Sequence, residues 1–256
     1  MTKPSTPTAT PQADAAHAAA GESAEQSKKS LFARGLGREL TSIDLLKALA
    51  ITTMIIDHVG YYFIVDDSWW RLVGRFSAPI WLFLIGFAVT RDIPKRLVWG
   101  AIFLVFVDAA TMEPLLPINI LASIIMVRWA LPIITKPSYL KPENLLPITV
   151  LLACLAVPSW FSVEYGLLCI LLGMLGHLCR HDPTNKAGIA MIAVACWAVY
   201  TFWQPLVFGF DTTQQILLGI GTAVMLFGLT RFRKASFADT GQAWYEPFLR
   251  LFGRYS

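Results

Sequence analysis

Apolar runs long enough to cross a lipid bilayer recur from about residue 43 to about residue 230, and they constrain the fold more than any other feature of this sequence. A helix rises about 1.5 Å per residue, so a hydrocarbon core of about 30 Å takes about 20 apolar residues. The blocks that meet this requirement are approximately 43–64, 71–90, 97–112, 115–135, 145–163, 165–179, 187–209 and 214–230. The expected fold is therefore all-α, a polytopic membrane bundle of about eight transmembrane helices. The third and sixth blocks are short, and tilted or partly re-entrant segments there lower the count to about seven. Composition agrees: 55% of the residues are hydrophobic and 15% charged, where soluble domains carry about 25% charged residues.

The loops give an orientation. With the N-terminus inside, the inner connections hold Arg91, Lys95 and Arg96, then Lys136 and Lys141, then Arg180 and Lys186. Arg231, Arg233, Lys234, Arg250 and Arg254 follow the last block. The outer connections hold Asp66, Asp67, Glu113, Glu164 and Asp211, with no Lys or Arg. This asymmetry is the positive-inside pattern and predicts a multi-pass protein with both termini cytoplasmic. The net charge of +4 thus concerns topology, and nucleic acid is not an expected partner.

Residues 1–40 are expected to be a disordered cytoplasmic tail. The stretch before residue 31 has no aromatic residue and no Leu, Ile or Val. Lys28 to Arg38 form a basic segment suited to anionic headgroups. Residues 41–230 form the membrane domain, and 231–256 a cytoplasmic end. Cys154, Cys169, Cys179 and Cys196 lie in or beside apolar blocks without C-x-x-C spacing and read as packing residues; no metal is expected.

Polar residues inside these blocks are costly and default to a functional reading. The first block holds Asp44, Lys47, Asp57 and His58, the second Arg71 and Arg75, the third Asp108, the fourth Asn119 and Arg128, and Glu164 opens the sixth. At about 100° per residue, Asp44, Lys47 and His58 share one helix face, while Asp57 points about 100° away from His58. Topology puts His58, Arg75, Asp108 and Glu164 at one depth in the outer half, and Asp44, Lys47 and Arg128 nearer the inside. Arg71 reads as an interfacial anchor. His58 is the natural base near neutral pH. Arg75 is suited to stabilise an oxyanion or to bind a carboxylate or phosphate.

The charged stretches also carry a pattern. Asp44-Leu45-Leu46-Lys47, then M-x-x-D-H-x-G ending at Gly60, then G-R-x-x-x-P-x-x-x-F from Gly74 to Phe83, resemble the start of the TraX family. Asn119-Ile120-Leu121 resembles its N-I-L segment and Glu164-Tyr165-Gly166 its E-x-G segment. The similarity runs from about residue 41 to residue 230, and the first two stretches are the specific ones. The resemblance implies an acyltransferase of the bacterial inner membrane that moves acetyl from acetyl-CoA to the N-terminal amine of a conjugative pilin or another membrane-presented acceptor. It also implies a distant likeness to multi-span acyltransferases of the acyltransferase-3 type, which O-acetylate envelope glycans. Carried over, it implies catalytic roles for His58, Asp57, Arg75 and Glu164, and substrate or donor contacts for Asp44, Lys47, Asn119 and Arg128. Relatives run past a G-R-Y-S segment into a last helix. Here Gly253-Arg254-Tyr255-Ser256 are the final residues, so a short variant and a truncated chain both stay open. O-acetylation of a glycan or lipid, and a non-enzymatic transporter or pilus-assembly scaffold, are the competing functions.

Overall fold

The apolar blocks become helices, and all eight find a helical counterpart in the computed structural model, which describes residues 41–64, 67–112 and 114–235. The expected tail over 1–40 and most of the expected end over 231–256 lie outside the described residues, as do Asp66 and Glu113. The helices are α1 Ser42–Phe63, α2 Ser68–Gly74, α3 Ser77–Phe87, α4 Lys95–Ala110, α5 Ile120–Ile134, α6 Pro142–Ser159, α7 Leu168–His181, α8 Lys186–Phe208 and α9 Thr212–Thr230. No strand occurs among the described residues. Their ends follow local chemistry. The Asp211 and Gln214 side chains cap α9 reciprocally, Asn119 caps α5, and α8 ends on left-handed Gly209.

α7 is the hub and packs on α3, α5, α6, α8 and α9. It is buried along most of its length, as is α3, where Trp81 is the one residue not fully buried. A helix that is apolar and buried all round belongs at the centre of a bundle. Glycines let the two backbones touch: a Cβ on Gly86 would lie 1.9 Å from the Gly173 carbonyl oxygen, and one on Gly176 2.1 Å from that of Phe83.

The outer helices turn apolar side chains away from the bundle. Phe103, Phe106, Trp129, Phe202, Ile216 and Val224 are all more than half exposed. Among the described residues, α6, α8 and α9 are long and apolar enough to cross a membrane, and α5 and α7 are shorter apolar helices. These are the features of a helical membrane protein.

The second apolar block departs from expectation. It is two helices, α2 and α3, joined through Arg75 and Phe76. Pro79 supplies the reason: it has no N–H for the carbonyl of Arg75, four residues earlier. The Tyr200 hydroxyl of α8 donates to that freed carbonyl instead. α3 is then only about 16 Å long, and its last carbonyls end inside the protein. The chain after α9 returns to this end. Phe232 packs on the rings of Phe83 and Phe87, and Ala235 exchanges hydrogen bonds with Ser42 at the start of α1.

Candidate active site

α1 and α2 approach through two glycines. A Cβ on Gly60 would lie 2.5 Å from Trp70 Cβ, and one on Gly74 would lie 2.2 Å from Asp57 Cβ. Asp57 is therefore pressed against the end of α2, where Arg75 is the C-terminal cap. The Arg75 guanidinium takes the carboxylate in a fork: Nε donates to Oδ1 at 3.2 Å and Nη2 to Oδ2. Arg71, one turn earlier, donates Nη1 to Oδ2 at 3.0 Å. Phe208 lies 4.4 Å from the Arg75 guanidinium carbon and 5.0 Å from that of Arg71, and Tyr61 covers Arg71 from 4.9 Å. Asp57 and Arg75 are buried and Arg71 is half-buried.

Glu164 reaches the same place from a loop. Ile118 N–H donates to the Ser162 carbonyl, and Glu164 N–H to the Ile118 carbonyl at 2.9 Å. These bonds tie the segment before α5 to the segment before α7. The Ser123 hydroxyl holds the Glu164 carbonyl at 2.5 Å. The Glu164 carboxylate lies near the Ile120 N–H and within electrostatic reach of Arg75, Asp57 and Arg71. Tyr165 follows with φ +65° and Gly166 with φ +48°. This left-handed turn sends the Tyr165 ring inward. Its hydroxyl lies 3.5 Å from Arg75 Nη1, and its ring stacks on Tyr200. Asp57 and Glu164 thus share the junction of α1, α2, α7 and α8 with Arg71 and Arg75.

Asp57, Arg75 and Glu164 gather as expected in one cluster; His58 does not join it. His58 is exposed on the adjacent face of α1, because consecutive helical residues diverge by about 100°. Its Nδ1 lies 2.8 Å from the Met54 carbonyl, so neither Asp57 nor Glu164 holds its ring. A carbonyl only accepts, so Nδ1 carries the proton and Nε2 keeps the basic lone pair. Arg71, expected as an interfacial anchor, is instead the second cation on Asp57. Asp108 is half-buried and makes no ion pair among the described residues.

The expected inner group draws its members from α1 and α5. Asp44 accepts from the Thr41 N–H and hydroxyl at 2.9 and 2.7 Å and so caps α1. Lys47 is half-buried one turn further on. Asn119 is engaged structurally: Oδ1 accepts from the N–H groups of Leu121 and Ala122, and Nδ2 donates to the Ala101 carbonyl. Arg128 sits on α5 and donates to the Asp92 carbonyl at 2.6 Å. Sequence reasoning missed Tyr165, Tyr200 and Phe208. Only Tyr165 had a local signal, from its place between Glu164 and Gly166.

The family comparison covers the same ground. The family described as "TraX protein" matches residues 42–247, most of the chain and every helix above. The chain belongs to the TraX family. Another similar protein is an uncharacterized protein of Rickettsia prowazekii (strain Madrid E), 28% identical over 183 residues, covering 68% of this chain and 72% of that protein. No solved structure matches. The TraX-like stretches acquire physical meaning from the geometry. The D-H-x-G and G-R pairs are the contact between α1 and α2, the Pro79 that follows breaks the helix beside Arg75, and E-x-G is the turn that delivers Glu164 and Tyr165.

Proposed function

We propose that this TraX-family chain is a membrane acetyltransferase that moves acetyl from acetyl-CoA to an amine, with the N-terminus of a conjugative pilin as acceptor. The observation that carries the reading is His58: its Nδ1–H donates to the Met54 carbonyl, which leaves the Nε2 lone pair free on the exposed face of α1 beside an ionic cluster. Family membership supports the acceptor class. The chain crosses the bacterial inner membrane about eight times with both ends inside. The return of residues 232–235 to the start of α1 supports an even number of crossings.

In the proposed reaction, the acceptor reaches the site as the neutral amine, its ammonium proton already given to water, and His58 Nε2 takes one N–H proton as the nitrogen attacks. The amine nitrogen bonds to the thioester carbonyl carbon, the tetrahedral intermediate collapses, and the C–S bond breaks. The CoA thiolate leaves and takes the proton from the imidazolium. Asp57 and Arg75 saturate each other, so their part is to fix α1 and hence the His58 ring. Arg71 keeps an open side and is the cation available to a developing oxyanion or an acceptor carboxylate. His58→Ala in the full chain is expected to lower acetyl transfer from radiolabelled acetyl-CoA to pilin by about 100-fold or more, with melting unchanged. Transfer near the parent rate would overturn the reading.

A further inference from the structure

At the opposite end of α3 from Asp57, positive charge collects without a counterion among the described residues. Arg91 donates Nη1 to the Ile85 carbonyl at 2.7 Å and Nη2 to the Gly86 carbonyl at 2.9 Å. Arg180 donates to the Phe87 carbonyl at 2.8 Å and packs on the Phe87 ring. These bonds satisfy the orphan carbonyls of the last turn of α3. A helix end carries only about half an elementary negative charge. Against it stand the full charges of Arg91, Arg180 and Arg128. Burial holds the Arg91 guanidinium below its ordinary pKa, and the charges of Arg128 and Arg180 push it the same way.

None of the three pairs with a carboxylate among the described residues. Asp92 offers Arg128 its carbonyl, and the Asp182 carboxylate accepts from the Thr184 hydroxyl. Arg128 Nε is buried with no partner among the described residues. His177 adds a donor. Its Nδ1 lies 3.0 Å from Arg91 Nη2. Arginine only donates, so Nδ1 accepts and Nε2 carries the proton. The His181 ring lies beside it, 4.5 Å between centroids. Capping α3 explains why Arg91 and Arg180 are anchored. It explains neither the third arginine nor the unpaired Nε.

We infer that Arg91, Arg128 and Arg180, with His177, form a binding site for the phosphate of a phosphate ester at the α3 C-terminal end. Guanidinium forks match phosphate oxygens, and a phosphate anion would offset the mutual repulsion of the three arginines. On the orientation proposed above this end faces the cytoplasm. Two sources share the chemistry: the phosphates of a soluble nucleotide such as coenzyme A, and the headgroup of an anionic lipid. Naming the nucleotide as acyl donor rests on the acetyltransferase reading; the site itself does not.

The test uses the full chain in neutral detergent and in nanodiscs. In detergent, equilibrium dialysis measures binding of radiolabelled adenosine 3′,5′-bisphosphate. In nanodiscs of phosphatidylcholine with phosphatidylglycerol, native mass spectrometry measures lipid retained after release. Arg91→Gln, Arg128→Gln and Arg180→Gln are each expected to weaken the occupant at least tenfold, with His58→Ala leaving it unchanged. Loss of the bisphosphate alone identifies a nucleotide site; loss of phosphatidylglycerol alone identifies a headgroup site; either supports the proposal. If the variants do not fold, the parent protein decides: pyrophosphate must displace the bisphosphate or the retained lipid. The proposal is overturned if the parent binds neither probe, if pyrophosphate displaces nothing, or if folded variants bind as the parent does. Because no probe carries an acyl group, failure here leaves acetyl transfer by His58 to be judged on its own assay.

Discussion

Asp57 and His58 are neighbours with opposite situations, and the difference is one residue's rotation about a helix. Asp57 turns inward and meets two arginines. His58 turns outward and meets its own backbone. A buried ion pair is worth little net of desolvation, but removing one partner leaves an uncompensated charge. Asp57→Asn is therefore expected to destabilise the protein by about 3–5 kcal/mol, read as a lowered melting temperature in detergent. Replacing Asp57, Arg71 and Arg75 together by apolar residues should recover part of that loss. A variant Asp57→Asn that melts like the parent would show that the cluster does not hold α1 to α2.

Between elements, close backbone contact and a single proline decide the geometry. Pro79 withholds one N–H and Tyr200 replaces it from another helix. Tyr200→Phe should cost about 1–3 kcal/mol, since it leaves the Arg75 carbonyl buried and unpaired. In a Pro79→Ala background the helix supplies its own donor, so the same change should cost much less. A double-mutant cycle on melting temperatures reads that coupling, and additive losses would refute it. The glycine contact between α3 and α7 is stricter. Gly176→Val has to displace the Phe83 backbone, which lies 2.1 Å from the position of a Cβ, and should lower the yield of folded protein and its melting temperature. The same change at Gly228, where a Cβ meets nothing within 4 Å, should leave both nearly unchanged.

For the whole molecule, the arrangement of charge about the membrane is the testable claim. Reporter fusions after Lys136 should be active only as a cytoplasmic reporter, and fusions after Asp211 only as an exported one; the reverse result would invert the topology. Much of the fold was legible in advance, because hydrocarbon demands helices of a certain length and apolar blocks advertise themselves. All eight blocks have a helical counterpart, and the sequence alone also singled out Asp57, Arg75 and Glu164. It did not show that α2 and α3 are separate, although Pro79 was in view, because a proline inside an apolar run can kink a helix or end it, and the Tyr200 hydroxyl that takes up the freed carbonyl is far away in sequence. Nor did it show that Asn119 and Asp44 are caps, since capping is read from backbone placement. Residue spacing along one helix settled the faces of α1. Which groups meet across helices was decided by packing alone: Phe208 under two arginines, Tyr165 on Tyr200, and Arg91, Arg128 and Arg180 at one helix end. Periodicity is a property of one element, whereas a site is a property of several, and only the tertiary contacts carry the distances between them.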